Sequence, residues 1–318
     1  MMDYETFKSA VERSFKDYLP EEYADGKVEI QKVKKVNETK DGLVLVNAGQ
    51  VSPTIYLDDM YGYYVKGHSM EETMQSIAEL YEDSVIQVPD DFSAMFDFEN
   101  AKENLVIQLI NTEKNEELLE SLPHREFCDL SVICAVRVSI DGMEGNVKVS
   151  DALLKRFGVT EDELFEAAYK SNKKAAPYCI FDIRDMLSGC IGGMPEELER
   201  GTMLVLTNQE KSLGASFMLY DDMMQRVAEN FDGDFYIIPS SIHELIAVKA
   251  DGNDPEALMD MVESVNACCV DMKEQLSNQV YRYDSLLHRV EPAVDTPAKK
   301  LGSIGNCGIQ EKWQGAAR

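Results

Sequence analysis

Residues 203–249 read MLVLTNQEKSLGASFMLYDDMMQRVAENFDGDFYIIPSSIHELIAVK, and this stretch decides the fold. Met203 to Thr207 and Ala215 to Tyr220 read as strands with a turn between them, and Asp221 to Phe231 reads as a helix. Phe235 to Pro239 and His243 to Lys249 read as two more strands, and a long helix follows. Asp254 stands at its N-cap and Pro255 in its first turn, while Leu258, Met261, Val262, Val265 and Cys269 fall on one stripe. Two strands, a helix, two strands and a helix predict an α+β layer, with antiparallel sheets and helices packed on one face.

Upstream, Phe7, Ala10, Val11, Phe15 and Tyr18 recur at spacings of three and four, one face of an amphipathic helix that ends at Pro20. VEIQKVKKV (28–36) and LVLV (43–46) are strand-like, and Asp41-Gly42 between them is a turn dipeptide, which predicts an antiparallel hairpin. Residues 53–57 form a short extended segment and 58–65 a short helix closed by Gly67. Ser69 with Glu72 three residues later is a capping box, opening a helix that buries Met70, Met74, Ile77, Leu80 and Tyr81. Asn104 to Ile110, Cys128 to Ile140 and Asn146 to Val149 are strand-rich, with a turn at Asp141-Gly142 and one or two helical turns over 116–122. Thr160 with Glu163 is a second capping box, for a helix that turns Leu164, Ala167 and Ala168 inward. A glycine-rich loop from Gly189 to Gly201 divides an α+β region over 1–188 from a ββαββα region over 202–288. Pro, Gly, Ala and Lys dominate beyond, so 289–318 reads as a disordered tail.

At 318 residues the chain has room for about two domains. Its 44% apolar and 28% charged residues are an ordinary globular mixture, which excludes a fibrous or wholly disordered protein. The excess of 58 acidic over 31 basic residues, a net charge of −27, repels nucleic-acid backbones and anionic membrane faces. From Arg289 onward there are five basic against three acidic residues, which leaves −29 for the residues before it. The seven cysteines are odd in number and irregularly spaced, so they read as reduced thiols. Cys268 and Cys269 are neighbours on a helix and cannot both face one way, so at least one is expected to be buried. MMDYETFKSAVERSF lacks the apolar run of a signal peptide, and no window approaches the ~18 apolar residues of a spanning helix. The expectation is a cytoplasmic protein with no membrane or nucleic-acid partner.

Polar chemistry is concentrated in Pro239-Ser240-Ser241-Ile242-His243-Glu244. In an extended chain Ser241 and His243 share one face, and Ser240, Ile242 and Glu244 the other. A hydrolase would use His243 as base and Ser240 or Ser241 as nucleophile, with Glu244, His124 or Arg125 in support. The chain has no G-x-S-x-G elbow and no S-x-x-K set, and the ordinary reading of such a cluster is a turn with satisfied side chains. Glu244, beside Ile242, Ile246 and Val248, needs a partner, for which Arg125 and Arg184 are candidates. His124 and Cys128 would meet one metal ion only on a helix, and two ligands fall short of the three or four that zinc takes. His68 and His288 stand alone, so no metal site is expected. Gly189-Cys190-Ile191-Gly192-Gly193 has neither the Lys-Ser/Thr of a phosphate loop nor the dinucleotide-binding spacing, so no nucleotide cofactor is expected.

Several longer runs carry a resemblance. SPTIYLDDMYGYYVKGHSMEETMQSIAELY (52–81), INTEKNEELL (110–119), LPHREFCDLSVI (122–133), FYIIPSSIHE (235–244) and NQVYRYD (278–284) occur in one order within residues 3–288. Together they resemble a bacterial family of unknown function, met chiefly in Gram-positive anaerobes. PTIYLD (53–58) is also distantly similar to a second uncharacterised bacterial family. The resemblance implies no activity, substrate or cofactor. It places Asn111, Lys114, Asn115, Pro123, His124, Arg125, Asn208, Gly214, Pro239, Ser240, Ser241, His243 and Glu244 in the family's motifs.

Three functions follow as expectations. The first is a binding or interaction protein, with an unidentified protein partner, whose motif residues brace the fold or line one recognition surface. The second is the hydrolase built on residues 240–244. The third is an acidic mimic of nucleic acid, which would need carboxylates in phosphate-like rows, whereas here they are scattered over the polar faces of helices.

Overall fold

The computed structural model describes residues 1–46, 52–85, 92–140, 142–175, 177–187 and 199–294. The chain forms two compact units, Met1–Phe92 and Ser93–Arg318. No described helix is long and apolar enough to cross a membrane.

In the first unit α1 (Tyr4–Ser14) begins at Asp3, whose carboxylate accepts the Thr6 amide at 2.8 Å. Its stripe buries Phe7 and Val11, and Phe15 continues the stripe in a 3₁₀ turn, as the spacing predicted. β1 (Lys27–Lys35) and β2 (Glu38–Val46) pair antiparallel, but Lys35 faces Glu38, so the turn is Val36-Asn37 and not Asp41-Gly42. Asn37 takes φ +62°, a conformation asparagine tolerates. Gly42 instead lies inside β2, where the two-residue β3 (Ile55–Tyr56) comes alongside. A Cβ there would stand 2.6 Å from Thr54 Cγ2 and 2.7 Å from Val33 Cγ2, so the glycine serves close approach. Asp41 is buried beside it, with Lys8 Nζ at 3.1 Å and Lys32 Nζ at 3.0 Å. Burial opposes its charge, and the two ammonium groups outweigh that and hold its carboxyl below the usual carboxylate range. α2 (Leu57–Val65) and α3 (Met70–Ser84) follow, and both bonds of the Ser69/Glu72 capping box are made. Met74, Ile77 and Tyr81 of α3 join Phe7, Leu43 and Leu45 in the core, while Leu80, expected there, is 44% exposed.

The second unit begins with α4 (Phe98–Ala101), β4 (Leu105–Asn111), α5 (Glu116–Leu119), β5 (His124–Phe127), β6 (Leu130–Ile140) and β7 (Met143–Lys148). β6 is the spine of this sheet. β4 runs along one of its edges, and β5 and β7 share the other. α6 (Asp151–Phe157) leads to α7 (Glu161–Ala175), which opens at the second capping box: the Thr160 amide donates to Glu163 Oε2 at 2.8 Å. α7 buries Leu164, Phe165 and Ala168.

β8 (Tyr178–Asp182), α8 (Ile183–Leu187), β9 (Met203–Asn208), α9 (Asp221–Phe231), β10 (Phe235–Ile238), β11 (Leu245–Lys249), α10 (Pro255–Cys268), β12 (Tyr281–Asp284) and β13 (Arg289–Pro292) complete the chain. The six strands form one antiparallel sheet in the order β13-β12-β10-β11-β9-β8. With three antiparallel sheets among the described residues and helices packed against them, the protein is α+β. The expected break at 188–202 falls between β8 and β9, which pair within this sheet. The Gly189 loop proper, Asp141 and the chain beyond residue 294 lie outside the described residues.

Two strand assignments change. Most of the segment 215–220, expected as a strand, lies in a 3₁₀ turn, Gly214–Leu219, whose six residues are all buried, since a short, mostly apolar run does not distinguish the two. Residues 289–292, expected in the tail, form β13 against β12, with Val290 buried.

The large sheet is covered on both faces. Phe235, Ile237, Leu245, Ala247, Tyr281 and Tyr283 enter the main core with α7, α9 and the inner face of the β4–β7 sheet. The alternate residues Ile238 and Val248 meet Val262 of α10 in a smaller cluster.

Candidate functional site

The Pro239–Glu244 segment connects β10 to β11 as a folded loop, and the expected two-faced extended chain does not form. Pro239 supplies no amide to the ladder, and the Ser240 amide turns back to Ile238 O at 3.0 Å. Ser241 and His243 have partners within the loop and across from it. Ser241 Oγ accepts the His243 amide at 3.0 Å, and the Ser241 amide donates to Glu244 O at 3.2 Å. The Leu213 amide donates to His243 Nδ1 at 3.2 Å, so that nitrogen is the acceptor and Nε2 carries the proton in the neutral ring. Ser241 and His243 therefore meet through the His243 backbone, with the imidazole turned to Leu213.

The facing segment is shaped to receive this loop. Asn208 clamps Ser212 with two bonds, from its Nδ2 to Ser212 O at 2.7 Å and from the Ser212 amide to its Oδ1 at 3.2 Å. Leu213 then takes φ +55°, which aims its amide at His243. Thr207 Oγ1 donates to His243 O at 2.8 Å. Gly214 lies against the same carbonyl: a Cβ would come within 2.4 Å of it.

The other motif segments converge on the neighbouring loop, 270–281. The Ile242 amide donates to Glu274 O at 2.9 Å, and Lys114 Nζ to Gln275 Oε1 at 2.9 Å. Asn111 Oδ1 accepts the Lys114 amide, and Asn115 Nδ2 donates to Asn111 O, so INTEKN is a self-capped turn. Asp129, in the turn between β5 and β6, accepts Ser277 Oγ at 2.6 Å and Tyr281 OH at 2.7 Å. Burial, reinforced by the Asp129 charge, pushes the Tyr281 phenol up and keeps it a donor.

His124 and Arg125 sit on β5 with partners of their own. His124 Nδ1 contacts Leu122 O at 2.9 Å, and Arg125 pairs with Asp162 and lies over the Phe165 ring at 4.6 Å. Arg125, one of the two candidate partners of Glu244, pairs with Asp162, which α7 brings beside β5. The helical spacing imagined for His124 and Cys128 is also absent: His124 is on the strand, and Cys128 is in the turn at φ +58°.

Beside this braced corner lies a groove of about 240 Å³, between α10 and the sheet. Met203, Ile238, Ile246, Met261 and Val265 make its walls, and Ser240 and Asn266 supply its polar groups. Asn266 is held by bonds to Ser277 O at 3.1 Å and Asn278 Oδ1 at 2.7 Å. Met261 and Val265, expected in a buried stripe, are 45% and 43% exposed. α10 buries only Val262 and Asn266, so most of its apolar residues remain near the surface. The signal was in the sequence: Leu258, Met259, Met261, Val262 and Val265 spread over an arc wider than one buried stripe. A second, more open groove along α7 is lined by Lys102, Lys170 and Lys174. Each is paired with a glutamate, Glu99, Glu166 and Glu103 in turn, so it offers no net charge to a ligand.

The fold and this corner define an α+β protein in which hydrogen bonds knit the segments 111–115, 207–214, 239–244 and 270–281 together. The chain belongs to a family of unknown function (DUF5688), matched over residues 4–285. No curated protein and no solved structure matches it.

Proposed function

We propose that this chain is a binding protein that takes up a cationic, amphipathic segment of a partner protein in the groove beside α10. The observation that carries the reading is the combination on one helix of outward apolar residues and unbalanced acidity. Met261 and Val265 are exposed at the groove, and Glu256, Asp260 and Glu263 are exposed on the same helix, which has no basic residue. Flexible methionines suit a surface that moulds itself to a partner's side chains, and the negative charge of the helix favours a basic partner and speeds encounter. Ser241 and His243 support the reading indirectly. Their bonds are spent on holding the loop that begins with Pro239 and Ser240, both of which line the groove.

The test is fluorescence anisotropy with the full chain and a labelled helical peptide, leucine on one face and lysine or arginine on the other. Saturable binding is expected, weakened by salt and reduced roughly tenfold or more by Val265→Asp or Met261→Asp, since each anchor is worth about 1.5–3 kcal/mol. Circular dichroism checks that the variants keep their fold. Equal binding of a peptide with glutamate on its polar face, or undiminished binding to the folded variants, would overturn the proposal.

A further inference from the structure

The two adjacent cysteines at the end of α10 depart from the expectation drawn for a continuous helix. Successive helical residues diverge by about 100°, which would part their side chains. Cys268 is the last helical residue, but Cys269 is the cap, at φ −129° and ψ −22°. Its amide still closes the helix on Val265 O at 2.8 Å, while its changed backbone brings the two side chains together. Both cysteines are exposed, and their sulfurs are 2.9 Å apart in a thiol–thiol hydrogen bond. By contrast Cys134 is buried in the main core, and burial pushes its thiol up. Cys128 and Cys179 are half-buried.

We propose that Cys268 and Cys269 form a reversible redox site, closing to a vicinal disulfide with a low-molecular-weight disulfide as oxidant and reopening with a dithiol. The Cys268 thiolate attacks one sulfur of the oxidant, whose S–S bond breaks and releases one thiolate. Cys269, which holds its proton against Cys268, then gives up that proton and attacks the Cys268 sulfur. The second thiolate leaves, and the Cys268–Cys269 bond forms. Two electrons and two protons pass from the protein to the oxidant, which ends as two thiols. Contact between the sulfurs favours this internal step over capture by any distant cysteine. The closed ring is strained, because consecutive Cα atoms are about 3.8 Å apart and ordinary disulfides span about 4.4–6.8 Å. Strained, exposed disulfides are the readily reduced ones, so the site cycles and does not lock.

The experiment treats the full chain with oxidised glutathione, blocks remaining thiols with an alkylating agent, and maps the digest by mass spectrometry. The peptide holding both cysteines is expected to lose two hydrogens, escape alkylation, and return to the dithiol on dithiothreitol treatment. Cys269→Ser, checked by its melting curve, is expected to accumulate glutathione on Cys268, since the resolving sulfur is gone. Both thiols alkylated in full, or glutathione retained on the wild-type pair, would overturn the proposal. So would a bond from either cysteine to a different one.

Discussion

Replacing Gly214 by alanine tests whether the loop packing is as tight as its geometry indicates. The added methyl would stand 2.4 Å from His243 O, 2.4 Å from Thr207 Oγ1 and 2.9 Å from Thr207 Cα, where ordinary contacts are 3.4–4 Å. Two of these three atoms belong to the backbone, so no rotamer change relieves them. Thr207 is anchored in β9, and the chain at His243 is anchored through Ala215 N to Ile242 O and Leu213 N to His243 Nδ1. Relief requires movements of about 1 Å and separates Thr207 Oγ1 from His243 O, which it now bonds at 2.8 Å. Overpacking of this kind costs about 1–3 kcal/mol, and the broken hydrogen bond about 1 kcal/mol more. A total near 3 kcal/mol corresponds to a fall of about 6–12 °C in melting temperature for a body of 150–250 residues. Calorimetry of Gly214→Ala against the wild type reads this directly. A variant that melts within about 1 °C of wild type would refute the close-approach argument.

Two further outcomes follow from the polar anchors. Asp129→Ala leaves the fully buried Tyr281 hydroxyl and the Ser277 hydroxyl without their acceptor, with an expected loss of about 3 kcal/mol in denaturant unfolding. Tyr281→Phe alone should cost less, and the double variant less than the sum; simple additivity would show that the two residues do not act together. Asp234 accepts the hydroxyl and amide of Ser285 and pairs with Arg282, and these hold its carboxyl below the usual carboxylate range. A lowered folded pKa means the stabilisation is present above about pH 4 and is lost as pH falls through the folded value. Asp234→Asn should therefore be less stable than wild type at pH 7 and close the gap as the solution is acidified below pH 4. A gap independent of pH would contradict the assignment.

Much of the local structure was legible because its causes are local. The two capping boxes, the Asp254-Pro255 helix start and the amphipathic first helix each depend on residues within a turn or two of one another. Local bonds of that kind form wherever the residues stand. The hairpin turn was misread because Asp41-Gly42 carries a turn's composition while serving a different need, and the need arises from Val33 and Thr54, which approach only in the folded sheet. Residues 215–220 look like a strand for a similar reason, since burial explains their apolarity without revealing their geometry.

For the candidate site the division is sharper. The motif residues could be picked out in the sequence, but their employment could not. The hydroxyl of Ser241 and the imidazole of His243 have donor and acceptor capacity for catalysis or for bracing, and the choice depends on Leu213, Thr207 and Glu274, which lie up to 36 residues away. The sequence by itself determined an acidic α+β chain with well-capped helices, through composition, periodicity and short-range hydrogen bonding. Only the tertiary structure decided that Met261 and Val265 face outward, that Arg125 belongs to Asp162, and that Cys268 and Cys269 touch. Which neighbours occupy a side chain's free valences is set by strand order and helix ends, and those are properties of the whole packed chain.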